Sequence, residues 1–190
     1  MDSGTVDATD TVQLDVAVQQ VTRRYTGIVE VELPDTSQAD PSRFRQLSQR
    51  DRYMPPPFAQ ATEFRFYVFW RGWFRDRVIE STGQVLDFEK AAPLALYLED
   101  CMGAPAHGVR FELPEHPEIQ VLHQVSDGTV GDETDTGSAL IGDIPDAARN
   151  SAVMVQAVQV RSGDVIAKRA DVFVRSGWTT HVWLTPRSLR

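Results

Sequence analysis

A repeated tetrapeptide, Val-Arg-Ser-Gly, is the feature of this 190-residue sequence that most constrains its fold. It occupies residues 160–163 and 174–177, and each copy closes a run rich in β-branched residues. A Ser-Gly pair tolerates the positive φ of a tight turn, so each copy predicts a turn between two strands. Residues 152–186 are therefore predicted to form a β-meander of three strands joined by two hairpins.

Side chains alternate in character along the strands of this predicted meander. In the middle strand, Ala170, Val172 and Val174 share one face, because successive side chains of a strand point to opposite sides. In the last strand, Val182 lies on the face opposite to His181. We expect Val172 and Val182 to point into the core, with one face of the meander buried and the other partly covered.

The segment around the second turn carries a resemblance to known domains. Residues 174–184, Val-Arg-Ser-Gly-Trp-Thr-Thr-His-Val-Trp-Leu, are similar to the turn element that ends a strand pair in prealbumin-type and carboxypeptidase-regulatory-like β-sandwiches. The resemblance covers residues 140–186, and immunoglobulin-like sandwiches show the same alternation. It implies a sandwich architecture and no activity.

Alternating apolar residues predict further strands over residues 14–18, 28–33, 63–79, 84–88, 94–98, 109–113 and 119–124. A turn or bulge is expected at residues 71–72. Asp40 as N-cap, followed by Pro41, predicts one short helix over residues 42–50, inside a long loop. The expected fold class is mainly β: one or more antiparallel β-sandwiches, immunoglobulin-like or prealbumin-like, with one short helix in a long loop.

The chain divides into segments of different composition. Residues 1–11 are polar and acidic, and we expect them to be a disordered tail. A linker with Gly103 and Pro105 suggests a boundary between an N-terminal β module, residues 12–103, and a C-terminal β-sandwich module, residues 108–190. One continuous domain is the alternative.

Composition excludes several classes of function. The net charge of −8 disfavours nucleic-acid binding, which depends on neutralising phosphates with basic side chains. Cys101 is the single cysteine and has no partner for an internal disulfide. The first residues lack a signal-peptide pattern, and no apolar run approaches the roughly 20 residues that span a bilayer. We expect a cytoplasmic protein that binds neither nucleic acid nor membrane.

Motifs for catalysis are missing from the sequence, and one loop offers metal ligands. No nucleophile elbow, phosphate-binding loop or dinucleotide fingerprint occurs, so we expect a non-enzymatic protein without a cofactor. The loop at residues 126–138 supplies four carboxylates of the kind that bind Ca²⁺: Asp127, Asp132, Glu133 and Asp135. An EF-hand register starting at Asp132 places Gly137 correctly but puts Asp143 where a Glu is required. A metal-dependent ligand-binding domain or enzyme is therefore the alternative function.

Arginines are concentrated in the first half of the chain. Residues 23–80 carry ten arginines and eight acids, whereas residues 81–148 carry thirteen acids and two basic residues. In the long loop the arginines are interleaved with aromatic residues, a composition enriched at protein interfaces. The candidate partner-binding residues are Arg43, Arg45, Arg50, Arg52, Tyr53 and Phe58. A loop that merely covers a sheet edge is the simpler interpretation.

The expected function is that of a non-enzymatic adaptor or accessory subunit that binds another protein in a larger assembly. Two other surfaces suit such a role: the aromatic face of residues 64–74, or a sheet edge that accepts an added strand. The sequence leaves the partner and the oligomeric state open.

Overall fold

The computed structural model describes residues 28–33, 49–54, 71–100 and 102–186. Its helices are α1 (Arg71–Thr82) and a 3-10 turn (Asp146–Ala148). Its strands are β1 (Val29–Leu33), β2 (Gln49–Met54), β3 (Leu94–Leu98), β4 (Val109–Glu112), β5 (Leu122–Gln124), β6 (Val130–Gly131), β7 (Ser138–Ile141), β8 (Ala152–Gln159), β9 (Val165–Phe173) and β10 (Thr179–Leu184). The described fold is mainly β, as predicted.

The strands form two sheets. One has seven strands in the order β1-β2-β10-β3-β7-β5-β6, and the other has three in the order β4-β8-β9. Most neighbours are antiparallel, but β10 runs parallel to both β2 and β3. Because β10 has a strand on each side, it lies inside the larger sheet and is buried on both faces.

A hydrophobic core fills the space between the two sheets. Leu94, Leu96 and Val182 from the larger sheet pack in one cluster with Val155 and Val172 from the smaller sheet. All five side chains are fully buried. The prediction that Val172 and Val182 face the core is confirmed, and two packed sheets fit the expected sandwich architecture.

The larger sheet combines both halves of the chain. The last strand, β10, pairs with β2 and β3, which precede the proposed boundary at residues 104–107. Strands β5, β6 and β7 from the second half extend the same sheet. The larger sheet therefore contains described strands from both sides of the proposed boundary, and the division into modules stays a prediction.

Helix α1 corrects the prediction of a strand over residues 71–79. Trp73, Arg75 and Arg77 alternate with Phe74, Asp76 and Val78, and this alternation predicts a strand. However, Phe74 and Val78 are four residues apart, and both are buried in a second hydrophobic cluster with Leu86. Residues one helical turn apart share a face, so helix formation buries both side chains together. The predicted strand at residues 84–88 is also wrong, because that segment is irregular chain.

Strand β2 corrects the prediction of a helix and loop in this region. Gln49 and Arg50 were expected at the end of a helix, but they begin β2, which pairs with β1 and β10. The remaining predicted helical residues, 42–48, lie outside the described residues, as do residues 1–27 and 55–70. Burial in the sheet explains the difference, since β2 gains strand partners on both sides.

The meander prediction is correct for its first hairpin and wrong for its second. Residues 160–163 turn β8 directly into β9, and these strands pair antiparallel. Residues 174–177 also turn, but β10 then joins the larger sheet instead of pairing with β9. Ala170 is exposed rather than inward-facing, because a bulge in the β8–β9 pairing shifts the alternation before Val172.

Candidate functional site

The outer face of the larger sheet carries a buried polar network. The phenol of Tyr97 on β3 lies 3.1 Å from Nδ1 of His181 on β10, and His181 Nε2 lies 3.3 Å from Oδ1 of Asp51 on β2. The ring of Tyr53 stacks on His181 with centroids 4.6 Å apart. Trp183 stacks on Tyr97 at 4.5 Å. Neighbouring strands β2, β10 and β3 place these side chains on one face of the sheet.

This Asp-His-Tyr arrangement has the residue types of a proton relay but not its electrostatics. Burial, and then the negative charge of Asp51, raise the pKa of Tyr53 far above its ordinary value. Burial also raises the pKa of Tyr97 well above 10. Both phenols stay neutral at physiological pH, whereas a phenolate nucleophile or base needs a lowered pKa. With Asp51 and His181 buried as well, the network suits a role in holding three strands together.

The second turn gathers arginine and aromatic side chains at one end of the sandwich. The guanidinium carbon of Arg52 lies 5.4 Å from the ring centroid of Phe173 and 5.7 Å from that of Trp178. The guanidinium of Arg175 lies 5.1 Å from the Trp178 ring. Nη1 of Arg50 reaches within 3.9 Å of the position that a Cβ on Gly177 would occupy. We call these residues the arginine–aromatic cluster: Arg50, Arg52, Phe173, Arg175 and Trp178.

The cluster combines a fixed interior with an exposed rim. Arg52 is only 5% exposed, and its Nε donates a 3.0 Å hydrogen bond to the carboxylate of Glu30, which its Nη2 also contacts. Trp178 is 9% exposed. Phe173, at 36% exposure, and the exposed Arg175 face solvent. The interior groups hold the rim at a defined position on the surface.

The predicted partner-binding residues separate into three groups. Arg43, Arg45 and Phe58 lie outside the described residues. Tyr53 is fully buried in the aromatic stack, so its ring is not part of the exposed surface. Arg50 and Arg52 belong to β2 rather than to a loop, and the structure brings them into the arginine–aromatic cluster. Of the predicted aromatic face, Phe74 lies on the buried side of α1, and residues 64–70 lie outside the described part.

Two carboxylates of the acidic loop, Asp127 and Asp135, accept hydrogen bonds from residues of the same loop. Asp127 accepts hydrogen bonds from the amide and hydroxyl of Thr129, and these bonds lower its pKa. Asp135 accepts two hydrogen bonds of 2.7 Å from Ser126. Within the described ranges no group of three or more His, Cys, Asp or Glu side chains converges as a metal site would require. The structure therefore does not assemble Asp127, Asp132, Glu133 and Asp135 into the hypothesised Ca²⁺ site.

Three members of the cluster were absent from the sequence-based candidates: Phe173, Arg175 and Trp178. A local signal for them exists, since the second turn is followed by Trp178, whereas the first is followed by Asp164. A large aromatic residue directly after a turn indicates a turn that packs against something. Arg52 was selected from composition, but its proximity to Trp178 depends on strand order, which alternation does not encode.

Comparison of the chain with protein-family models, curated proteins and solved structures finds no match. The prealbumin-like resemblance of residues 140–186 therefore stays a prediction. In the described ranges, no helix has both the length and the apolar character needed to cross a bilayer.

Proposed function

We propose that this chain is a non-enzymatic β-sandwich accessory subunit or adaptor that binds another protein through its arginine–aromatic cluster. The observation that carries the proposal is the position of two guanidinium groups, from Arg52 and Arg175, at 5.7 and 5.1 Å from the same Trp178 ring. Arg and Trp are the residue types most enriched at binding hot spots, because each combines a large contact area with directional polar groups.

The construction of the cluster supports a binding role. Ordering flexible side chains costs about 0.5–1.5 kcal/mol each on association. In the cluster Arg52 is already held by Glu30, and Trp178 is already packed, so that cost is largely met in the folded chain. A partner would then order little more than Arg175 and the edge of Phe173. Protein interfaces usually have a packed apolar centre and a polar rim, and the cluster has this arrangement.

The guanidinium groups of the cluster indicate which side chains a partner would present to it. Guanidinium groups stack on aromatic rings and form bidentate hydrogen bonds with carboxylates. Inside the cluster Arg52 contacts a carboxylate and an aromatic ring: its Nε and Nη2 both hydrogen-bond to one oxygen of Glu30, and its guanidinium carbon lies 5.7 Å from the centroid of the Trp178 ring. We therefore expect the partner to present carboxylate or aromatic side chains. The net charge of −8 argues against a nucleic-acid partner.

The metal-dependent alternative receives less support from the geometry. Asp127 and Asp135 already accept hydrogen bonds from Thr129 and Ser126 within the loop. A bound cation would have to compete with those bonds or share their oxygens. The buried Asp51–His181–Tyr97 network likewise presents no acidic phenol for chemistry.

The test compares two arginines in the same tetrapeptide. Arg175→Ala removes the exposed cation of the cluster, and Arg161→Ala removes the exposed arginine at the equivalent position of the first turn. Both variants should unfold within about 0.5 kcal/mol of the parent, as surface substitutions normally do. We expect the protein that co-purifies with the parent from its native host to be lost with Arg175→Ala and retained with Arg161→Ala.

The size of the effect separates a hot spot from a peripheral contact. Truncating a hot-spot residue costs about 2 kcal/mol or more, which weakens binding roughly 30-fold. Equal recovery of the partner by both variants would contradict the assignment of the cluster. Loss of the partner with both variants would show that general charge, rather than this surface, controls recovery.

A further inference from the structure

His123 connects the two sheets by accepting a hydrogen bond from the smaller sheet. It lies on β5 of the larger sheet, and the backbone N–H of Phe111, on β4 of the smaller sheet, donates a 2.9 Å hydrogen bond to its Nε2. His123 is 5% exposed, and its ring also hydrogen-bonds to the backbone of Gly131. In antiparallel strands the backbone groups of successive residues point to alternate sides. The Phe111 amide therefore points away from β8, at the outer edge of β4.

The bond depends on the protonation state of the imidazole. A neutral ring has one nitrogen without a proton, and at Nε2 that nitrogen accepts the Phe111 N–H. A protonated ring carries a hydrogen on both nitrogens and accepts nothing. Its Nε2–H would then turn to the Phe111 carbonyl oxygen, 3.3 Å away, and the Phe111 N–H would lose its acceptor. A buried amide without an acceptor is costly, so protonation weakens this edge of β4.

The charges around His123 are few and partly cancel. Arg110 on β4 disfavours the protonated ring, and Asp132, after β6, favours it. Glu112 on β4 interacts with the ring as well, but it is paired with Arg110 through a 2.8 Å contact. His123 lines an open groove of about 910 Å³ together with the charged residues Arg110 and Asp132. The other residues that line this groove are uncharged: Ser81, Gln120, Val121, Val130 and Gly131.

We propose that His123 is a pH-sensitive latch, which in its neutral form holds the outer edge of β4 against the larger sheet and on protonation releases the Phe111 amide. The inference is independent of the proposed partner surface, since the arginine–aromatic cluster contains no residue of β4 or β5. In the released state, the groove presents a backbone N–H donor that the neutral form conceals.

The direction of the pH dependence follows from burial. Desolvation lowers the pKa of His123 below its ordinary value in the folded chain. As pH falls below about 6.5, the unfolded chain takes up this proton before the folded chain does. The folded state therefore loses stability on acidification through this window, and the latch opens at the lower pH where the folded ring itself is protonated.

Amide hydrogen exchange of the parent protein, resolved by residue, tests the latch. Exchange at Phe111 is compared with exchange at Arg110 and Glu112, which point toward β8 by the alternation of the ladder. After correction for intrinsic rates, we expect the protection of Phe111 to fall on acidification by up to about tenfold per pH unit, as uptake of one proton requires. Arg110 and Glu112 should keep their protection over the same range.

Two histidine variants test whether the pH dependence of exchange at Phe111 comes from His123. His107→Gln changes an exposed histidine two residues before β4 and should leave the pH profile of Phe111 unchanged. His123→Asn should remove the pH dependence of Phe111 protection, whatever its protection at neutral pH. Protection of Phe111 that stays constant on acidification until the chain unfolds, or a fall shared equally by all three β4 amides, would overturn the proposal.

Discussion

The two Val-Arg-Ser-Gly turns have the same sequence and each has a glycine in the left-handed region, but they direct the chain differently. The glycine of each turn is left-handed, with φ of 76° at Gly163 and 80° at Gly177. The first turn closes on itself, since Gly163 N–H donates to Gln159 and Gln159 N–H donates to Asp164. The second is bonded to a distant segment, because Gly177 N–H donates to Ala91 at 2.8 Å.

The neighbours of each turn explain the difference. Val160 is 41% exposed and Asp164 is exposed, so nothing draws the first turn away from its own hairpin. Val174 is fully buried and Trp178 nearly so, which draws the second turn into the sandwich. Turn chemistry therefore sets the local reversal, and burial of the flanking residues selects the sheet that the next strand joins.

Replacing the residue after each turn should produce the largest contrast. Trp178→Ala removes a packed ring that two arginines contact, and such truncations cost about 3–5 kcal/mol. Asp164→Ala changes an exposed side chain and should stay within about 0.5 kcal/mol of the parent. Denaturant unfolding of both variants gives the two free energies. Similar values would mean that Trp178 contributes no more to the fold than Asp164 does.

Replacing the glycines should produce a smaller contrast. An alanine in the left-handed region costs about 1–2 kcal/mol, and both positions incur that cost. At Gly177 the new Cβ would also lie 3.3 Å from the carbonyl oxygen of Glu89, whereas at Gly163 it meets no atom of the described part of the chain within 4 Å. Gly177→Ala is therefore expected to lower the unfolding midpoint more than Gly163→Ala. The reverse order would contradict the close packing of the second turn.

One substitution beyond the second turn should be stabilising. The hydroxyl of Thr180, on β10, is buried and has no hydrogen-bond partner among the residues that the structure describes. Thr180→Val keeps the shape of the side chain and removes that polar group, so we expect a gain of about 1 kcal/mol. Calorimetry of the variant and the parent measures it. A lower melting temperature would indicate that the hydroxyl has a partner, such as a buried water.

The sequence predicted local features better than the partners of each strand. Alternation identified β3 and β4 and the inward faces of Val172 and Val182, because side-chain period is a local property. It did not predict the parallel pairing of β10 with β2 and β3, which depends on chain segments about 130 and 85 residues away. It also failed at α1, where Phe74 and Val78 fit a helical period as well as an alternating one.

For the candidate site, too, the sequence predicted residue types better than their positions in the fold. Composition singled out Arg50 and Arg52 as interface residues, and both lie in the arginine–aromatic cluster. The same reasoning selected Tyr53, which alternates to the other face of β2 and is buried beside His181. One residue along a strand therefore separates the two faces of the larger sheet, and composition alone does not distinguish them.

Hydrogen exchange of the complex tests the central claim most directly, because exchange at both turns, which share one sequence, is measured in the same sample. The chain is measured alone and with the protein that co-purifies with it. The account predicts slower exchange on binding at residues 173–178 and no change at residues 160–163. Equal slowing at both turns, or slowing at neither turn while another surface is protected, would contradict the assignment of the arginine–aromatic cluster as the partner-binding surface.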